Sequence, residues 1–221
     1  MSQPLIIFGT GTLAHLAQYY AVREMGFEVK AFAVDAARQN LETFCDSMVV
    51  SWEDCLEQYP PGTVPMYVAV GYREMRQREA VFDRVQSAGY FLQNIISKSA
   101  FVAETVRMGH NNFIMPGVVL EPEVSMGANN VIWSNATICH DTIIGKHNFL
   151  ASNVTIGGEV RIGDRCFLGF SSTVVHQCHL GDDVLLAAQS LLLDDADSLS
   201  RYQGTPAKKV IDICPSVGGC I

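Results

Sequence analysis

Isoleucine, valine, leucine or methionine occupies every sixth position from Ile96 to Leu192, seventeen times in succession. Apolar residues fill about half of an ordinary chain, so chance gives such a run roughly once in 10^5 trials per phase. The position four further on is mostly small, as at Val106, Val118, Ala136, Cys166, Ser172 and Cys178, with Asn112, Asn130 and Asn148 among them. One large and one small inward residue per six fits a short strand followed by a turn. A second period of eighteen places Gly109, Gly127, Gly145, Gly163 and Gly181 in register. Three six-residue sides per coil put these glycines on one edge of a triangular prism, where a turn needs close approach or positive φ. No side buries its apolar residue alone, so the coils must stack. Stacked strands lie about 4.8 Å apart, which sets each residue over the one eighteen earlier. A β-sandwich, with period-2 strands of uneven length, does not produce this pattern.

The first ninety residues follow another rhythm. Leu5–Phe8 is an apolar run that ends in Gly9, Thr10, Gly11 and Thr12, after which Leu13, Leu16, Ala17 and Tyr20 recur at helical spacing. Val29–Val34 reads as a strand ending at Asp35, Met66–Val70 as another ending at Gly71, and 79–87 as a helix. Residues 36–63 are weakly patterned, with a loop at Pro60, Pro61 and Gly62. Strands alternating with helices predict a small parallel sheet, a Rossmann-like βαβ unit. The expected division is 1–94 for this unit, 95–210 for a parallel β-helix and 211–221 for a tail, with 194–202 a loop that breaks the repeat.

A net charge of −8 argues against a phosphate-backbone footprint, so no nucleic-acid partner is expected. No apolar run reaches membrane-spanning length, and MSQPLIIFGTG lacks the basic region and cleavable apolar stretch of a leader, so secretion is not expected. Seven scattered cysteines, an odd number, read as reduced thiols and a cytoplasmic location. His176-Gln177-Cys178-His179 looks like a metal cluster, but an inward Cys178 and outward neighbours diverge, so no metal is expected.

Gly9-Thr10-Gly11 at a strand-to-helix turn offers backbone N–H groups to a phosphate, and Asp35 ends the second strand where such folds bind a ribose or base. Ala14 stands at the third glycine position, and a tight packing turn is an equal reading of the motif alone. The column His140, Gly158, His176 follows from the eighteen-residue period, which sets His176 roughly 9–10 Å from His140 along the axis, too far to share a proton. The remaining coil histidines, His147 and His179, are expected at the surface, as is His15 on the first helix. Trp133 and Phe170 are expected as exposed apolar edges of the prism.

Segments IIGKHNF, RIGDRCFLG and HLGDDVLL resemble the [LIV]-G-x-x-small-x hexapeptide of left-handed β-helix acyltransferases, and GTPAKKV at 204–210 is similar to their closing signature. With the glycine-rich unit in front, the whole chain resembles the sialic acid O-acetyltransferase and bacillosamine N-acetyltransferase group. The resemblance implies a left-handed β-helix, a homotrimer with the donor groove between neighbouring helices, acetyl-CoA as co-substrate and a nucleotide-sugar acceptor. ICHDTIIG is similar to the family's catalytic context, which implies His140 as general base and Asp141, one methylene shorter than the usual glutamate, as its partner. A neutral imidazole suits the removal of a proton from an attacking amine or hydroxyl.

The same likeness assigns substrate contacts to Gly9, Thr10, Gly11, Thr12, Asp35, Gly71 and Arg76, although Tyr72 and Arg73 depart from the family segment there. It assigns donor contacts to Gly158, Phe170, His176 and Lys208, with Lys209 beside it. Phe149 stands where many members have a histidine near the acetyl group, and Ala188 where they have a glycine. These two replacements keep open a non-catalytic sugar-nucleotide-binding protein, or a transferase with another acyl donor. The sugar, its acetylated position, and nitrogen or oxygen as nucleophile stay undetermined.

Overall fold

The structure, a computed structural model, describes residues 2–71 and 75–213; Tyr72, Arg73, and the tail from 214 onward lie outside them. From Ile95 onward each coil gives one two-residue strand to each of three parallel sheets. Strands pair with the residues eighteen further on, as Val131 with Phe149, Thr137 with Thr155 and Ile143 with Arg161. We call the three sides the docked face (Phe113–Ile114, Val131–Ile132, Phe149–Leu150 and their equivalents), the second face (Val119–Leu120, Thr137–Ile138) and the third face (Ser125–Met126, Ile143–Ile144). The six-residue aliphatics point inward: Ile114, Leu120, Ile132, Ile138, Leu150 and Ile156 are fully buried. Each contributes about 1.5–3 kcal/mol of apolar burial.

The eighteen-residue glycines serve close approach alone. None of the five has positive φ. A Cβ on Gly127 or Gly145 would stand 2.8 or 2.7 Å from the carbonyl oxygen of the glycine in the next coil. The left-handed conformation falls two residues later, on Asn111, Asn129, His147, Arg165 and Asp183. Beneath this edge the inward asparagines form a ladder: the Asn148 N–H donates to Asn130 Oδ1 and the Asn130 N–H to Asn112 Oδ1, both at 2.9 Å.

The N-terminal part is a five-stranded sheet of β1 (Gln3–Phe8), β2 (Phe27–Val34), β3 (Thr43–Phe44), β4 (Ser47–Ser51) and β5 (Met66–Val68), in the order β3-β4-β2-β1-β5. All pairs are parallel except β3 with β4. Helices α1 (Thr12–Arg23), α2 (Trp52–Gln58) and α3 (Met75–Ser87) connect and flank it. The weakly patterned stretch therefore holds β4 and α2, which are five and seven residues long, too short to display a period. Ser51 starts α2 by accepting the Asp54 N–H at 3.0 Å.

The sheet and α1 dock on the coils through one core in which Leu5, Ile7, Leu13 and Tyr67 meet Phe113, Val131, Phe149 and Ala151. This docking corrects one expectation. Trp133 is no exposed prism edge; it packs half-buried against that core and Phe149. Phe170 is 60 % exposed, as expected. At the far end the loop after the last coil is shorter than 194–202, because Ser200–Gly204 and Ala207–Asp212 form an antiparallel hairpin closing the docked face. No helix among the described residues is long and apolar enough to cross a membrane.

Candidate active site

His140 lies on the turn between the second and third faces, the prism edge opposite the docked sheet. Its neighbour Asp141 adopts the left-handed conformation, φ 58°, which turns the carboxylate back toward the ring. His140 Nδ1 and Asp141 Oδ2 are 2.9 Å apart, so the short side chain does reach the imidazole. The ring lies over Gly158 of the next coil, where a Cβ would stand 2.8 Å from Nε2 and Cε1. Any other residue at 158 would fill the imidazole's seat. Glu121, in the preceding coil, accepts the His140 backbone N–H at 2.9 Å. The hydrogen bond to Asp141 is the main influence raising the His140 pKa, and the charges of Asp141, Glu121 and Glu159 act in the same sense. Both side chains remain more than half exposed, so the dyad faces open space. His176, two coils on, is also exposed.

A second group gathers at the C-terminal ends of the parallel strands. Gly9 ends β1 with φ 116°, and a Cβ there would come within 2.9 Å of the Ala69 carbonyl oxygen. Gly11 caps α1 without a side-chain hydrogen bond, and Thr12 opens the helix. Asp35 follows β2 and Gly71 follows β5. No motif along the chain pointed to the partner of Asp35. Arg84, in the last turn of α3, meets its carboxylate at 2.6 Å and lies 5.2 and 5.3 Å from the Phe8 and Trp52 ring centroids. Arg76, expected near a phosphate, instead pairs with Asp183 of the coils at 2.9 Å. His15 is exposed on α1.

The residues expected to hold an acyl donor do not assemble within one chain. Gly158 and His176 share the His140 edge; Phe170 and Ala188 sit on the edge between the docked and second faces, both exposed. Lys208 is exposed on the closing hairpin, while Lys209 is occupied by Asp197 and Asp212. Phe149 corrects the expectation more sharply: it is 3 % exposed and stacks on Phe167 in the docking core, so its ring lines no open groove. An aromatic outward position on this face belongs to domain packing.

His147 is likewise no surface residue. It is 3 % exposed, at the edge between the third and docked faces, with Phe82 of α3 edge-on 5.3 Å away. Burial drives its pKa down to about 4, and its Nδ1 lies 2.9 Å from Asn129 Nδ2. Around it α3 grips the coils. Arg78, 1 % exposed, donates to the carbonyls of His147 and Asn148 at 3.1 and 3.4 Å and to the carbonyl of Asn129. Arg165 bonds Asp183 through both Nε and Nη2 at 3.1 Å and meets Glu79 at 3.1 Å. His179 is exposed. Among the described residues no group of three histidine, cysteine or acidic side chains gathers where a metal ion could bind.

The bacterial transferase hexapeptide (six repeats) family matches residues 105–140, 123–158 and 141–176, a repeat that builds a left-handed β-helix. Curated protein sequences give no match. Among solved structures, a histidine-to-alanine mutant of GDP-perosamine N-acetyl transferase from Caulobacter crescentus, in complex with CoA and GDP-perosamine, is 25 % identical. The alignment covers 95 % of this chain and 97 % of that one, with a TM-score of 0.85. The acetyltransferase domain of PglB from Neisseria gonorrhoeae has the same TM-score at 20 % identity, over 95 % and 100 % of the two chains. WeeI from Acinetobacter baumannii gives 0.82 at 15 % identity, with the same coverage. The repeat match, together with a likeness of fold that spans both parts of the chain, makes it similar to the hexapeptide-repeat transferases of the sugar acetyltransferase group.

Proposed function

We propose that this chain transfers the acetyl group of acetyl-CoA to an amine or hydroxyl of a nucleotide-linked sugar, with His140 as general base. The observation that carries this is the His140–Asp141 pair at 2.9 Å, seated over Gly158 on an open edge. Asp141 holds Nδ1 protonated, which leaves Nε2 as the acceptor. The nucleophile loses its proton to Nε2 as it attacks the thioester carbonyl. The tetrahedral adduct then expels the thiolate of CoA, which takes the proton back from the imidazolium. Asp141 and the nearby glutamates stabilise that transient cation.

The N-terminal unit, Rossmann-like in its strand order and bounded near residue 94, is proposed to hold the nucleotide, with its diphosphate at Gly9–Thr12 and the nucleoside at Asp35 and Arg84. In one chain the docked sheet and the His140 edge lie on opposite sides of the prism, and Phe170 and Ala188 lie on yet another edge. A complete site therefore needs residues from a neighbouring copy. We propose a homotrimer in which His140 of one chain faces Phe170 and Ala188 of the next across a shared groove.

A panel of nucleotide sugars incubated with acetyl-CoA, scored by mass, tests the reaction. A gain of one acetyl group on at least one amino or hydroxyl sugar, with release of free CoA thiol, is expected. Sedimentation at micromolar concentration should give three times the 24.2 kDa chain mass; a monomer there would refute the shared groove. Other acyl-CoA donors in the same panel separate acetyl transfer from transfer of a longer chain.

A further inference from the structure

We propose that Glu121 is a positioning residue: its carboxylate pins the main chain of His140 so that the short side chain of Asp141 can reach the imidazole. The inference rests on the reading of His140 as the base.

Three observations meet at this turn. Glu121 Oε2 accepts the His140 N–H at 2.9 Å, and the Asp141 N–H donates to the Pro122 carbonyl at 3.2 Å, so the preceding coil holds both residues of the pair. Equivalent positions in the other coils, Ala103, Cys139, Gly157 and Val175, carry no carboxylate. Asp164 and Asp182 accept peptide N–H groups of Lys146 and Asp164 on another edge, but in the column of Glu121 only the coil that faces His140 supplies an acid for this. The third observation is the partner itself. Aspartate reaches one methylene less far than glutamate, yet its Oδ2 stands 2.9 Å from Nδ1. A turn fixed from below makes that reach possible, because an i, i+1 side-chain contact depends directly on the two backbone dihedrals between the residues. Ligand-orienting groups of this kind commonly change activity tenfold or more when removed.

The groups that bear on the imidazole are Asp141 on its own turn, Glu121 in the coil before and Glu159 in the coil after, with the Cys139 thiol beside Glu121. Gln177 donates to Glu159 at 3.2 Å and keeps that acid in place. Glu121 thus has two separable effects, a hydrogen bond that holds the backbone and a charge that favours the imidazolium. Glu121→Gln keeps an acceptor oxygen and loses the charge; Glu121→Ala loses both.

The test is a set of three variants, E121A, E121Q and E121A combined with D141E, read by kcat, KM, the acidic limb of kcat/KM, and NMR titration of the His140 ring. E121A should lose about tenfold in kcat, with KM for both substrates within about twofold, as expected for a lost orienting contact. E121Q should retain most of kcat. In both, the ring should titrate at lower pH than in the wild type, since a neighbouring negative charge has gone. The longer carboxylate of D141E should recover most of the loss in E121A. Wild-type kcat and an unmoved ring titration in E121A would overturn the proposal, as would a loss that D141E leaves untouched. The titration reads Glu121 whether or not acetyl is transferred. A wild-type protein that acetylates nothing defeats the acetyltransferase reading alone, and an E121A variant that acetylates with wild-type kcat defeats the Glu121 role alone.

Discussion

His140 and His147 lie seven residues apart in the same repeat, and the fold treats them in opposite ways. His140 stands on the edge opposite the N-terminal sheet, exposed, with its pKa raised by a carboxylate partner. His147 stands on an edge that α3 covers, buried, with its pKa pushed down to about 4. Both lie on a turn after an inward aliphatic, His140 two residues after Ile138 and His147 three after Ile144, in the left-handed conformation. The neighbour outside the coil then sets their environments apart. A covered edge strips water from the ring and keeps it neutral; an open edge leaves it hydrated, and nearby acids favour its cation. Here the second structural unit decides which ionisable group stays in water and which is buried neutral.

The contrast can be broken most directly at the open edge. His140→Ala should lower kcat by ~10²- to 10⁴-fold with little change in melting temperature, measured by thiol release and calorimetry, since the residue is exposed and its proposed task is proton transfer. Retention of wild-type turnover would remove it from the chemistry.

The covered edge should respond in stability instead. Arg78→Met removes the guanidinium donor of the His147 and Asn129 carbonyls, while Asn148 keeps the Val131 N–H, and should cost about 3 kcal/mol in chemical denaturation, in the range for breaking a buried charged contact. The same variant should leave the His140 titration unmoved if the two edges are independent.

A pH series sharpens the comparison further. The folded-state pKa of His147 is below its ordinary value of 6.5, so the unfolded chain takes up the proton first. Its neutral form costs nothing above pH 6.5, and stability is lost as pH falls from there toward 4. The loss should be on the order of 3 kcal/mol. His147→Asn should flatten that part of the stability–pH curve, whereas His140→Ala should not.

The smallest expected effect is at the seat of the ring. Gly158→Ala places a methyl group within 2.8 Å of Nε2 and should displace the imidazole. About a tenfold loss in kcat is expected, with folding nearly unchanged because this glycine does not need positive φ.

Much of this was legible along the chain. The period of six set the inward aliphatics, and the period of eighteen set the coil length and the column of His140, Gly158 and His176. The glycine turn at Gly9–Thr12 and the strand ends at Asp35 and Gly71 were legible too, because parallel strands collect their C-terminal ends. Other features were not. Arg78, Arg84 and Glu121 sit in no repeat and no motif, and their partners are 51, 49 and 19 residues away. Phe149 was placed beside the acetyl group by the resemblance alone; its side chain does face outward from the coil, and only the sheet packed upon it makes outward mean buried.

The sequence by itself determined the prism, since a strict repeat of inward aliphatics has one way to bury itself, by stacking coil upon coil. The tertiary structure decided which of the three faces became a core, which edge kept its histidine in water and which acids surround that histidine. Those outcomes depend on contacts between segments far apart in the chain, and a period that repeats equally on every face carries no information about which face will be covered.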